Sequence, residues 1–246
     1  MSSYERTLRK KMVQIAKLTY SKGMIAASDG NMSAKISDDR LLVTPSGLFK
    51  GFLEEDDLVI IDREGNLIKG HHSPSTEMMM HLKAYEMRQD VNAVVHAHPP
   101  TITAFSVAGI DLTEAILPET IFILGEIRFA QYSTPTTEDV PRAIEELIKK
   151  HDALVLTRHG SLTVGKTLEE AYQKLESLEH TAKIISEAVK LRGGEMVAPL
   201  PAQEIDKLWA INEQLTGKKR PSETSEIPTE VIAQAVRDVL NEMNFH

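Results

Sequence analysis

Apolar positions at the start of the chain recur with a helical period. Leu8, Met12, Ile15 and Thr19 are spaced by four, three and four, which puts them on one face of an amphipathic helix ending near Gly23. A cluster of turn formers follows, Ser28-Asp29-Gly30-Asn31-Met32-Ser33. The pattern then changes to short apolar runs. Leu41-Leu42-Val43-Thr44 and Leu58-Val59-Ile60-Ile61 predict strands, the first leading directly into the turn Pro45-Ser46-Gly47. The loop His71-His72-Ser73-Pro74-Ser75 feeds a helix expected from about Glu77 to Arg88. Valine-rich Val91 to Ala97 predicts a buried strand, stopped by Pro99-Pro100. Ile121 to Leu124 and Ala153 to Thr157 are further strand candidates. Thr167-Leu168-Glu169-Glu170 has capping-box spacing and predicts a helix running to about Leu191, where Gly193-Gly194 ends it. Strands and helices intersperse without repeats over residues 1–215, the mark of one layered α/β domain.

The last 31 residues differ. Residues 216–228 begin Thr-Gly-Lys-Lys-Arg-Pro-Ser-Glu-Thr-Ser, with no large apolar side chain, and read as a polar linker. In residues 229–246, Val231, Ile232, Ala235, Val236, Val239, Leu240 and Met243 fall on one face of an amphipathic helix. A helix this short is marginal alone in water and requires a surface to lie on.

Composition narrows the chemistry. The 246 residues carry a net charge of −8, which disfavours nucleic acid or an anionic membrane as a general partner. With no cysteine, thiolate zinc sites, disulfides and thiol nucleophiles are excluded, so any metal must be held by nitrogen and oxygen. No apolar run approaches the roughly 20 residues that span a bilayer. The opening MSSYERTLRKK leads into no apolar signal segment, and a cytoplasmic location is expected.

His96-Ala97-His98 closes the apolar strand. Side chains two apart on a strand share a face, about 6.5–7 Å apart at the backbone, so two imidazoles can converge on one metal. His-x-His pairs are also common without a metal. His159, after the strand 153–157, can supply a third nitrogen, and three histidines with an open position make a catalytic Lewis-acid site rather than a closed one. Ser75-Thr76-Glu77 opens a helix and reads either as an anion site, because unpaired amides and the dipole favour negative charge there, or as an ordinary N-cap. Gly30-Asn31 and Ser46-Gly47 read as turns. His71, His72, His81, His151, His180 and His246 lack partner spacing and are assigned to surface or helix-face positions. Met78-Met79-Met80 is assigned to core packing.

Taken in order, Ser28-Asp29-Gly30-Asn31, Thr44-Pro45-Ser46-Gly47, Ser75-Thr76-Glu77, His96-Ala97-His98 and His159-Gly160 resemble the class II aldolase/adducin family, most nearly its L-fuculose-1-phosphate aldolase branch, over residues 4–215. The resemblance implies a three-layer α/β/α sandwich with a central, mostly antiparallel (mixed) sheet, assembled as a homotetramer with active sites between subunits. It implies one Zn²⁺ per subunit on His96, His98 and His159, with Glu77 touching the metal when substrate is absent. Glu77 would be the acid/base at the enediolate carbon. Ser28, Asn31, Ser46, Gly47, Ser75 and Thr76 would hold the phosphate of a sugar-phosphate substrate. The branch uses a tyrosine on the aldehyde side; the stretch from Asp111 to Gly125 has none, and Glu119 is the candidate replacement. The implied reaction is cleavage of L-fuculose 1-phosphate, or a related 6-deoxyketose 1-phosphate, to dihydroxyacetone phosphate and lactaldehyde. The alternatives are a ribulose-5-phosphate 4-epimerase, a methylthioribulose-1-phosphate dehydratase and a non-catalytic adducin-like interaction domain. The linker and terminal helix resemble peptides that dock enzymes to shell proteins inside bacterial microcompartments; packing of that helix on its own tetramer is the alternative.

Overall fold

The computed structural model describes residues 1–221. Helix α1 (Ser3–Ser21) buries Leu8, Met12, Ile15 and Thr19, as their spacing predicts. Strands β1 (Asn31–Ser37) and β2 (Arg40–Val43) pair antiparallel. Two short 3₁₀ turns (Lys50–Phe52 and Glu55–Asp57) lead to β3 (Val59–Ile61), β4 (Leu67–Lys69) and α2 (Met78–Met87). Next come β5 (Ala93–Ala97), α3 (Pro100–Ala108), α4 (Pro118–Ile123), β6 (Ile127–Ala130) and α5 (Asp139–Ile148). β7 (Ala153–Leu156) and β8 (Gly160–Gly165) form a hairpin before the long α6 (Leu168–Leu191) and α7 (Ala202–Thr216).

The strands make one sheet in the order β4-β3-β2-β1-β5-β8-β7-β6, antiparallel except for the parallel pair β6–β7. Helices cover both faces, giving the expected three-layer α/β/α sandwich. Leu8, Met12 and Ala16 of α1 and Leu168 and Leu175 of α6 share a core with Met32, Ala34, Val95 and Ala97. On the opposite face, Met80, Ala84 and Tyr85 of α2 and Ile144 and Ile148 of α5 meet Val43, Val94, Leu162 and Val164. Strand alternation therefore decides where chemistry can sit. Val95 and Ala97 point to the α1 side, which turns His96 to the α2 side with Val94. In β1, Met32 and Ala34 likewise leave Asn31 and Ser33 facing α2. Ser33 Oγ lies 2.7 Å from both His81 Nδ1 and the Tyr85 hydroxyl of that helix. The central platform is rigid because Val94, Val95, Leu154, Leu162 and Val164 are each fully buried, and such side chains contribute about 1.5–3 kcal/mol apiece.

Several sequence expectations need correction. Ile121 to Leu124 is not a strand: Pro118 supplies a preset first helical residue of α4, which packs on α6 and α7, and the buried positions are three apart, Ile121 within the helix and Leu124 capping its end. Pro99-Pro100 stops β5 but also starts α3, whose free N-terminal amides at Thr101 and Ile102 donate to the buried Glu179 carboxylate at 3.1–3.2 Å. The turn-former cluster ends early, because Asn31 already belongs to β1. Thr167 caps α6 as expected, but Glu170 reaches back to the amide of Lys166 rather than that of Thr167. His81 and His151 are buried, not at the surface. Of the expected linker, Lys218 pairs with Asp152 at 2.6 Å and Arg220 with Glu126 at 3.3 Å, tying the chain to the body. The remainder of the linker and the expected helix 229–246 lie outside the described residues. No described helix is long and apolar enough to cross a membrane.

Burial holds the His81 imidazole down to about 3 and that of His151 down to about 4. Both are neutral in the folded chain at a pH where an unfolded histidine, near 6.5, is already protonated. The unfolded state thus binds more protons, and the stability these groups contribute is present above pH 6.5 and lost as pH falls toward their folded values. Urea unfolding of chelator-treated protein should show stability falling from pH 6.5 to 4.5 by about 1.4 kcal/mol per pH unit for each buried neutral histidine. A flat profile over that range would contradict the buried, neutral assignment.

Candidate active site

The three histidines singled out by the sequence converge. Their ring centroids lie 4.8, 4.9 and 5.0 Å apart, a nearly equilateral triangle, and one nitrogen from each falls within 4.8 Å of the others. His96 is fully buried on β5, and its Nδ1 lies 2.9 Å from the Ser161 carbonyl of β8. Only an N–H can approach a carbonyl in that way, so the proton sits on Nδ1 and Nε2 presents a lone pair. That Nε2 is 3.0 Å from Nε2 of His98. His98 stands one residue beyond the end of β5, its backbone N–H donating to the Met24 carbonyl at 2.9 Å. His159 comes from the β7–β8 turn, where Arg158 takes the left-handed conformation at φ +61.

Two glycines permit this approach. Gly30 has φ +68, and a Cβ there would lie 2.9 Å from the His96 carbonyl oxygen and 2.6 Å from an Ile25 methyl. At Gly160, a Cβ would run into the Ala97 carbonyl and come 2.7 Å from Cδ2 of His98. Strands β5 and β8 therefore close on each other only because position 160 has no side chain.

Burial disfavours protonation of His96 and His98, both held below the ordinary histidine value, and for His98 the neighbouring His159 adds to it. Three imidazole nitrogens this close together, with no thiolate among them, fit a shared divalent cation. Two of the outer nitrogens have neighbours: Nδ1 of His96 donates to the Ser161 carbonyl, and Nδ1 of His98 lies 3.6 Å from the Asp29 carboxylate.

Glu77 stands at the N-terminus of α2 against this triangle. Its Oε1 is 3.1 Å from His159 Nε2, and its Oε2 is 3.5 Å from His96 Nε2 and accepts from Asn31 Nδ2 at 2.8 Å. Burial pushes the Glu77 carboxyl up, but the hydrogen bond from His159, the electrostatic influence of the adjoining His96 and His159 rings and the bond from the Asn31 amide together outweigh it and hold it down at about 2. It is ionised at neutral pH. Asn31 sits directly across from His96 in the β1–β5 register, which is how one amide reaches both Glu77 and, at 3.3 Å, the Ser75 hydroxyl.

The hydroxyl-bearing turns gather beside this carboxylate. An isolated bridge joins Pro45 to Pro74, and the Ser46 amide donates to the Ser73 carbonyl at 2.9 Å, drawing Ser46 and Gly47 to the segment Ser75-Thr76. Ser75 Oγ accepts from the Glu77 amide, and Glu77 itself, not Ser75, is the residue preceding the helix. Ser28 is linked through Lys50, whose Nζ donates to the Ser28 and Leu48 carbonyls at 2.9 and 3.0 Å. Glu119 is not drawn in: it is exposed on α4 and forms no hydrogen bond or ion pair among the described residues. Asp29, Ser161 and Lys50 had no assigned role from sequence. Asp29 lies within the turn motif, but nothing in sequence reveals that it faces His98.

Residues 10–186 match the family described as Class II Aldolase and Adducin N-terminal domain. The chain is 38% identical over 175 residues to an L-fuculose phosphate aldolase of Methanococcus vannielii, covering 71% of this chain and 93% of that protein. It is 32% identical over 208 residues to a 3-oxo-tetronate 4-phosphate decarboxylase of Escherichia coli K12, covering 83% and 96%. Among solved structures, YgbL of Klebsiella pneumoniae, described as an aldolase, epimerase or decarboxylase, superposes with a TM-score of 0.76 at 31% identity, covering 83% of this chain and 98% of that one.

The Gly160→Ala substitution should separate β5 from β8 at the triangle. Chelator competition is expected to show metal affinity lowered about 10–100-fold, the range seen when ligand orientation is disturbed, with unchanged far-ultraviolet circular dichroism. Wild-type affinity in this variant would show that the close approach does not set the ligand geometry.

Proposed function

The chain belongs to the class II aldolase and adducin family, with the clustered histidines of a metal-dependent enzyme, and from that premise we propose that it cleaves a carbon–carbon bond in a 6-deoxyketose 1-phosphate. L-Fuculose 1-phosphate is the proposed substrate, and dihydroxyacetone phosphate and lactaldehyde are the products. The observation that carries this reading is the ionised Glu77 carboxylate poised against three converging imidazoles. A cation bound there, proposed as one Zn²⁺ per subunit on His96, His98 and His159, supplies a Lewis acid's positive charge to the oxygens of the reacting carbons. Ser28, Asn31, Ser46, Ser75 and Thr76, with the Gly47 amide, hold the phosphate and so fix the three-carbon end of the substrate. As the bond breaks, its electron pair stays on that end as an enediolate, and Glu77 acts as the acid/base that moves the proton at the enediolate carbon. Glu119 is proposed to act on the aldehyde side from a neighbouring subunit of a homotetramer, consistent with its exposure on α4.

A second reading is favoured by one specific feature. Residues 111–125 contain no tyrosine, and decarboxylation of a 3-oxo acid phosphate needs no proton donor or acceptor on a departing aldehyde. Loss of CO₂ leaves its electron pair on the same three-carbon enediolate, and protonation then gives dihydroxyacetone phosphate. The similarity to the decarboxylase of Escherichia coli, over 83% of this chain, supports this alternative.

Residues 229–246 are proposed to address the enzyme to a microcompartment shell through residues 216–228. Deleting 221–246 should leave catalysis intact and abolish co-purification with shell proteins; loss of activity or of the tetramer would assign the tail to packing instead.

Product analysis decides the chemistry. The zinc-loaded enzyme should release lactaldehyde and triose phosphate in equal amounts from L-fuculose 1-phosphate, and Glu77→Gln should slow this by about 10²–10⁴-fold with metal content unchanged. Triose phosphate appearing only from 3-oxo-tetronate 4-phosphate, with CO₂, would select decarboxylation. Pentulose 5-phosphate epimerisation without free triose phosphate would contradict both.

A further inference from the structure

Lys50 is 1% exposed, among the most deeply buried large side chains of the protein. Its ammonium donates to two backbone carbonyls, Ser28 at 2.9 Å and Leu48 at 3.0 Å, while its own backbone N–H donates to the Ala27 carbonyl at 3.2 Å. The bonds to Ser28 and Ala27 join the turn that carries Ser28, just ahead of Asn31, to the segment after Ser46 and Gly47, and the bond to Leu48 closes that segment on itself. An ammonium has three donors, and here carbonyls take two of them. It pairs with no carboxylate among the described residues, although the fields of Asp29 and Glu77 reach it.

This arrangement is costly unless something repays it. A cation removed from water loses hydration that neutral carbonyls only partly replace, and burial brings the Lys50 ammonium down to about 8. A salt bridge to Asp29 or Glu77 would have offset that loss within the protein. The chain instead places a positive charge with no salt-bridge partner among the described residues beneath two turns whose hydroxyls and amides face a proposed anion, in a protein of net charge −8.

We infer that Lys50 is the positioning residue of the phosphate cradle, tying its two turns together and supplying the buried positive charge that a phosphate dianion completes. This rests on the phosphate assignment made above. Lys50 acts through the backbone it holds and through its field, without touching the substrate. A purely structural lysine would brace the turns equally well with or without a bound anion.

The test uses the metal-loaded enzyme and inorganic phosphate as the probe. Phosphate should raise the wild-type unfolding temperature and compete with the sugar phosphate, because it binds the folded state alone. Lys50→Met keeps the stem and removes the charge. It should weaken phosphate binding by at least about tenfold, nearly abolish the phosphate-induced temperature rise, and raise KM with kcat little changed. Lys50→Gln should behave like Lys50→Met, and Lys50→Arg should recover part of the phosphate affinity. An unaltered phosphate-induced rise in Lys50→Met, whatever its starting stability, overturns the inference and leaves the cradle standing. No phosphate effect in the wild-type enzyme overturns the cradle itself. Failure of all three variants to fold, arginine included, would assign Lys50 to structure and also overturn the inference.

Discussion

The pairing of β5 with β8 is the constraint on which the site depends. It sets His96 opposite Leu162 and brings the Ser161 carbonyl to Nδ1 of His96, and it lets His159 in the turn before β8 meet His98 just beyond β5. One ladder therefore fixes the tautomer of the first histidine and the separation of the other two. The absence of a side chain at Gly160 is what allows the two strand ends to close. Everything else in the site is arranged around that closure: β1 presents Asn31 across from His96, and α2 begins where Glu77 can reach both.

The same geometry explains how an acidic protein can hold an anionic substrate. Net charge is spread over the surface and screened beyond about 8–10 Å at physiological salt. The proposed cradle lies inside that distance of its own local charges, namely Lys50 beneath the turns and the cation proposed for the imidazoles. Glu77 and Asp29 oppose them, and both are held by partners, Glu77 by Asn31 and His159 and Asp29 beside His98. Lys50 is the charged group of the site that forms no ion pair with a carboxylate among the described residues.

Much of this was readable in the chain because the informative patterns were local. The helical period of Leu8 to Thr19, the valine run ending in His96-Ala97-His98, and the cap at Thr167 each depend on near neighbours, and each folds as its spacing implies. β1 was hidden because its inward positions on the α2 side are Asn31 and Ser33, polar residues that serve the site rather than a core. α3 and α4 were hidden because proline signals both the end of a strand and the first turn of a helix: Pro99-Pro100 does both, and Pro118 opens a helix. His81 looked unpartnered because its partner, Ser33, is 48 residues away. Lys50 carries no local signal at all; its role emerges only when the turns at 28 and 48 are brought together.

The family resemblance thus rests on a physical event, three distant imidazoles meeting at one point, and the choice between aldol cleavage and decarboxylation is secondary to it. X-ray absorption spectroscopy of the metal-loaded protein measures that event most directly. The account requires one divalent ion per chain with three imidazole nitrogens at about 2.0–2.1 Å. A first shell containing fewer than three imidazoles, or a protein that retains no stoichiometric metal, would contradict it.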